Sequence, residues 1–294
     1  MKNIKLLLIF FLGFSFVLHA QTKKVTNTLL WEISGNGLKK PSYLFGTHHL
    51  IRKKFADTMK VLQEKLNLAD AVVGEMITDS STQEKMGPFL IMKNTTLDSL
   101  LTKTEYKEVE GYFKSKQPDF ELKQLNNFKP AMISLMITLF DNPDLMDNVG
   151  KEGMDDGFQH EAKKNAKPVY GLETAEYQAS LLFDNDLQNQ KKALLKAVRE
   201  VDKSKLKMEE LKSGYLHQDM DKLTKLFKIQ DEESKEFMTE LLKNRNKRWL
   251  DQLPAMMQKQ SLFIAVGAGH LVGDEGLIKG LQAKHYILKP IATN

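Results

Sequence analysis

A chain of 294 residues with 41% hydrophobic and 28% charged residues has the composition of a globular protein with a sizeable core, in one large domain or two small ones. The absence of cysteine excludes disulfides, thiol catalysis and a lipidated N-terminal cysteine, so any metal site must rely on His, Asp and Glu. Lys2 and Lys5 account for part of the formal +5 charge; without them 41 basic residues face 38 acidic ones, interleaved along helical stretches, which speaks against a nucleic-acid partner.

Residues 1–20 have the form of a secretory signal. Lys2 and Lys5 make a basic start, Leu6 to Leu18 an apolar core, and Ala20 a small residue at the expected cleavage point. The expected mature protein is a single α/β domain from residue 21 to 294, exported to the periplasm or outside the cell. No later segment approaches the roughly 18 apolar residues of a membrane-spanning helix, so no transmembrane anchor is expected after signal removal.

Leu29 to Ile33 alternates like a strand, Gly35-Asn36-Gly37 makes a turn, and Pro41 leads into Tyr43-Leu44-Phe45-Gly46-Thr47-His48-His49-Leu50, which predicts a hairpin. Phe55 to Leu68 has a helical pattern. Ala71-Val72-Val73-Gly74-Glu75 is a buried-strand run that delivers a glutamate just past a glycine. From about residue 80 to 165 the pattern is helical and rich in methionine. Within it Thr102 and Glu105 form a capping box, Pro130 opens a helix over 131–140, and Gly153 introduces another through Lys164. Pro168-Val169-Tyr170-Gly171-Leu172-Glu173 repeats the strand-glycine-glutamate unit, and Thr174 to Leu182 continues as a helix.

Residues 185–260 contain no strand. They are followed by Ile264-Ala265-Val266-Gly267-Ala268-Gly269-His270-Leu271, a helix over 276–283, and a last strand from Tyr286 to Leu288. The fold class is therefore α/β: a mixed central sheet with flanking helices and a large helical insertion.

The runs ending at His49 and His270 share one spacing: an apolar strand breaks at a glycine and delivers a histidine three residues later, then leucine. Glycine is expected to permit the tight backbone there, leaving the imidazole at the sheet rim, where open α/β sheets bind ligands. Four strand ends would thus present His49, Glu75, Glu173 and His270. Two imidazoles with carboxylates suit a divalent cation (Mn, Co, Zn or Fe), a second carboxylate can act as general base, and a cation such as Arg245 can stabilise an oxyanion. His48, out of step with His270, is the weaker choice of ligand, with a supporting place beside the site. His160, His217 and His285 read as surface or structural. No G-x-S-x-G elbow, H-E-x-x-H helix or Walker loop occurs, and Gly267-Ala268-Gly269 lacks the third glycine of a dinucleotide fingerprint.

Taken together, Trp31-Glu32-Ile33, the Pro41 to Leu50 run, Glu75, Gly171-Leu172-Glu173-Thr174 with Gln178, Arg245-Asn246, and Val266 to Leu271 with Gly273 and Gly276 resemble the TraB/GumN family, which is similar to the Tiki metalloproteases. The resemblance runs from about residue 27 to 291. It implies a sheet of two related halves with both histidine motifs at one edge, and a metal-dependent, peptidase-like centre. His49, His270 and Glu75 would be metal ligands, with Glu75 the alternative general base; Glu173 and Arg245 would be supporting catalytic groups. Asp155 falls where the family often has an aspartate. The expected function is an exported divalent-metal-dependent hydrolase acting on a peptide or protein substrate. The alternative is a non-catalytic periplasmic protein that binds a ligand, haem or peptide on the same scaffold, as ChaN-like relatives do.

Overall fold

The computed structural model describes residues 27–228 and 232–294, and the side chains of all but residues 232–234 among them. The expected signal at residues 1–20 lies outside the described residues. Six strands form one mixed sheet: β1 (Leu30–Gly35), β2 (Ser42–Thr47), β3 (Ala71–Gly74), β4 (Val169–Gly171), β5 (Leu262–Gly267) and β6 (Tyr286–Ile291). Their spatial order is β4-β3-β5-β2-β1-β6.

The first two strands make the expected antiparallel hairpin, and β6 adds antiparallel to β1. The other contacts are parallel, β2 with β5, β5 with β3, and β3 with β4. Four consecutive parallel strands therefore end on one rim. That is why β2, β3 and β5 are near-continuous buried runs, as sheets covered on both faces require.

Phe45 and Phe263 meet Phe158 of the helix Met154–Lys164 at centroid distances of 5.8 and 5.2 Å. Trp249 and Leu253 of the helix Arg245–Lys259 and Leu277 and Leu281 of the helix Leu277–Ala283 complete this core. Each buried side chain of this kind contributes roughly 1.5–3 kcal/mol. A second core, with Phe113, Ile133 and Leu194 at its centre, lies wholly within the helical excursion. The sheet with its large helical insertion is thus the α/β architecture expected.

Most helices follow the sequence pattern. Thr102 and Glu105 make the full capping box, and Pro130 opens the helix Pro130–Asp141. The stretch Phe55 to Leu68 departs from it, forming two helices, Lys53–Asp57 and Lys60–Leu68. At the break the Thr58 hydroxyl donates back to the Phe55 carbonyl at 2.7 Å and the Gln63 amide to the Ala56 carbonyl at 2.9 Å. These side chains reinforce the tightened backbone bonds from the Thr58 and Met59 amides to the same two carbonyls, at 3.2 and 3.0 Å.

Candidate functional site

The pairing register decides which residues meet. Thr47 is opposite Gly267, Gly74 is opposite both Ala265 and Gly171, and so the turns after β2, β3, β4 and β5 open side by side. His49, Glu75 and His270 line one cavity of about 590 Å³ on that rim, together with Asp155, Gln178 and Arg245. Glu173 stands immediately behind, bonded to Gln178 and Arg245.

Glu75 is 5% exposed and fully engaged. Its Oε1 accepts from the Gly267 amide at 2.8 Å; its Oε2 accepts from Gln178 Nε2 at 2.8 Å and Arg245 Nη2 at 2.6 Å. Burial alone would raise its pKa. The facing His270, His49 and Arg245 and the Gly267 amide outweigh that and hold it at about 2. Glu75 is therefore an anion over the whole physiological range.

Arg245 is 3% exposed and has every N–H spent. Nε donates to Glu173 at 3.0 Å, Nη2 to Glu75 and Glu173, and Nη1 to the Leu241 carbonyl at 3.1 Å and to His270 Nε2 at 3.0 Å. Its guanidinium also lies 4.7 Å from the Trp249 ring centroid. The sequence suggested an oxyanion donor; the geometry makes Arg245 the clamp between two buried carboxylates and an imidazole. Just before it, Thr239–Asn244 is a π-helical turn, which brings Leu241 and Leu242 round to the cavity.

The two histidines are held alike at one nitrogen. Asn246 Nδ2 donates to the carbonyls of His270 and Glu275, at 3.2 and 2.8 Å, so its Oδ1 must face His270 Nδ1 at 2.7 Å and accept its proton. That leaves His270 Nε2 as a lone pair. Burial lowers His270 to about 3, despite the adjacent Glu75. On the other side, His49 Nδ1 donates to Asp155 Oδ2 at 3.0 Å, and Asp155 Oδ1 is fixed by the Thr47 hydroxyl at 2.8 Å. The Asp155 charge raises His49 to about 9, against the opposing effect of burial. The His49 side chain is nevertheless 61% open to the cavity.

Gly267 is where these groups converge. A methyl group on its Cα would lie 3.2 Å from Glu75 Oε1, 3.5 Å from His49 Nε2 and 3.7 Å from His270 Cδ2. The reason for glycine differs from the one expected. Gly46 is not among the residues with positive φ, and Gly267 has φ −51°. A side chain on Gly46 would come 3.1 Å from the Ala268 Cα, and one on Gly267 would fill the space between Glu75, His49 and His270. Both glycines are there for room.

Several groups at the site have no warning in strand spacing: Asp155, Asn246, Gln178, Thr47 and Tyr215. The Tyr215 hydroxyl donates to the Gly46 carbonyl at 2.9 Å, tying the helix Val201–Leu216 to the end of β2. Asn246 and Gln178 carried a signal, as neighbours of Arg245 and Glu173 in the motifs, but no role. His48 lines the same cavity but stands outside the His49–Glu75–His270 cluster, beside it as expected. Its ring packs on Tyr215 at 5.2 Å, its Nδ1 accepts from the Leu50 amide, and burial lowers it to about 4. His160 pairs with Glu152, and His217 and His285 are exposed, as read.

Among the described residues no group of three His, Asp or Glu side chains is arranged to hold a metal ion, and Arg245 Nη1 is bonded to the lone pair of His270. The chemistry fits. His270 Nε2 and Glu75 Oε1 are 3.6 Å apart, close to the roughly 3.4 Å between two ligands of one tetrahedral ion with bonds near 2.1 Å. Both imidazoles give their Nδ1 proton to an oxygen acceptor, the arrangement that orients ligating histidines, and the face of Gly267 between them is bare.

No curated protein and no solved structure matches the chain. The model of the TraB/PrgY/gumN family matches residues 29–290, a span that takes in β1 to β5, all but the last residue of β6 and every site residue above, and the chain belongs to that family.

Proposed function

We propose that this protein is an exported, divalent-cation-dependent hydrolase that cleaves peptide bonds. The observation that carries the reading is the presentation of His49 Nε2, His270 Nε2 and Glu75 Oε1 around the uncovered Cα of Gly267. These three would hold the ion, and the set suits Mn, Co, Zn or Fe. When bound, such an ion supplies Lewis acidity and a water acidic enough to react near neutral pH.

The remaining work falls to the chain itself. Asp155 and Asn246 orient the imidazoles from behind. Glu75, anionic and held by the Gly267 amide, Gln178 and Arg245, supports positive charge. Arg245 bridges Glu75 and Glu173, its single positive charge offsetting one of their two negative charges. Export rests on the basic-apolar-small pattern of residues 1–20.

Elemental analysis of purified protein alongside His49→Ala and His270→Ala tests the cation: each substitution is expected to lower bound metal, and the reading fails if neither does. Hydrolysis is tested with a broad peptide and ester screen in added Mn, Co or Zn. Metal binding without turnover that depends on Glu75 would assign the site to capture without cleavage, a reading the largely apolar cavity wall also favours.

A further inference from the structure

The cavity over the rim is lined by two unlike sets of groups. Its floor is the charged cluster just described. The same cavity is lined by Leu181 and Leu182 of the helix Ala175–Phe183, Leu211 of the helix Val201–Leu216, Phe227 at the end of the helix Met220–Phe227, and Leu241 and Leu242 of the π-helical turn. All six are only half-buried. They come from four separate elements, so no single amphipathic stripe explains why they share a cavity. Leaving apolar surface wet forgoes roughly 25 cal/mol per Å², and contiguous wet apolar surface beside a few polar groups is the usual make-up of a binding site.

Charge narrows the occupant. Glu75, Asp155 and Asp156 all face the cavity, while Arg245 has no N–H to spare. His49 is bonded to Asp155. Among the described residues the lining offers no lysine and no second arginine to hold an anionic head group such as a fatty-acid carboxylate, so only the cation of the hydrolase reading would draw one in. A neutral amide needs no such partner. The volume, about 590 Å³, takes a segment of a few residues.

We infer that the wall of Leu211, Phe227, Leu241 and Leu242 is a specificity pocket, and that the substrate is a peptide bearing a large aliphatic or aromatic side chain next to the cleaved amide. The inference rests on the hydrolase reading above. In the reaction the amide C–N bond breaks, the hydroxyl of one water joins the carbonyl carbon, and its proton leaves with the new amine. The apolar side chain reaches the wall while the amide lies on the floor.

The test is a randomised library of end-blocked peptides, incubated with the full chain in added Mn, Co or Zn, with new termini read by mass spectrometry. Cleaved bonds are expected to carry Leu, Met or Phe on one flank, favoured over Ala or Ser by roughly 10- to 200-fold in kcat/KM. Leu242→Glu should still cleave and lose that preference, and Leu242→Met should keep it; Leu211→Ser serves the same purpose if Leu242→Glu fails to fold. Turnover with no apolar flank preference overturns the inference and leaves the hydrolase reading standing. Cleavage of acyl esters with a chain-length optimum, in place of peptides, assigns the wall to a lipid chain and also overturns it. No turnover by the unsubstituted protein on any substrate removes both.

Discussion

The end of β2 and the end of β5 carry the same glycine-x-x-histidine-leucine spacing and lie in parallel register, yet their histidines live in opposite electrostatic worlds. His49 is open to the cavity and faces a carboxylate, which raises it to about 9; His270 is 3% exposed and faces an amide, and burial lowers it to about 3. Identical spacing placed two imidazoles on one rim. The Asp155 charge, from the helix Met154–Lys164, decides the charge of His49, whereas burial decides that of His270, whose ring Asn246 from the helix Arg245–Lys259 only orients. One side of the site is thus a neutral, rigid lone pair and the other a cation that must give up a proton before it can ligate anything.

The comparison breaks most violently at Arg245. Its guanidinium is the counter-charge for two carboxylates that are each 5% exposed, so Arg245→Met leaves both unpaired in the β5 half of the site while the Asp155–His49 pair is untouched. A loss of about 3–5 kcal/mol is expected in denaturant unfolding. A loss under about 1 kcal/mol would show that the clamp is not what holds Glu75 and Glu173 in place.

Next comes Asn246→Ala, which removes the acceptor for His270 Nδ1 and the donor to the carbonyls of His270 and Glu275. Stability should fall by about 1–3 kcal/mol, and metal affinity, measured by calorimetric titration, by about 10- to 100-fold. An unchanged affinity would mean that His270 needs no orienting partner. Gly267→Ala probes the space between the two halves. The added methyl would sit 3.2 Å from Glu75 Oε1, which the carboxylate can relieve by a small shift. Stability should change little, while bound metal falls about tenfold, equivalent to about 1.4 kcal/mol. Retained metal content would place the ion elsewhere.

The strand ends were legible because buried parallel strands need unbroken apolar runs, which Gly46, Gly74 and Gly267 interrupt in β2, β3 and β5, while Gly171 ends the half-exposed edge strand β4. That alone aligned His49, Glu75, Glu173 and His270. What the chain order does not reveal is which helix returns to which strand end. Asp155 reaches Thr47 and His49 from the helix Met154–Lys164, which docks on β3 through Gln159, whose amide bridges the Met76 carbonyl and the Thr78 amide at 2.9 Å each. Arg245 lies in a basic run, Arg245-Asn246-Lys247-Arg248, that reads as a solvated face. It is buried because Glu75 and Glu173 arrive from two strands to meet it. The π-helical turn before it has no pattern in the sequence at all, and with it the apolar wall contributed by Leu241 and Leu242 went unseen.

The smallest effect is expected from making the two halves alike. Asp155→Asn replaces the carboxylate behind His49 with the kind of group that stands behind His270, keeping an oxygen acceptor for Nδ1. In chelator, the His49 resonance followed by NMR should then titrate well below about 9, because the Asp155 charge is the leading cause of the upward shift. The pH dependence of folding follows in sign. A histidine whose pKa is raised on folding, here from about 6.5 to about 9, stabilises the native state fully below about 6.5 and loses that contribution as pH rises through about 9. The unsubstituted protein should therefore lose stability between those two values, and Asp155→Asn should flatten that limb. The drop is expected to be modest, since the ring is 61% open and solvent screens the pair. A limb that survives the substitution would show that the loss across this range comes from another titrating group, and that Asp155 serves to aim the ring more than to charge it.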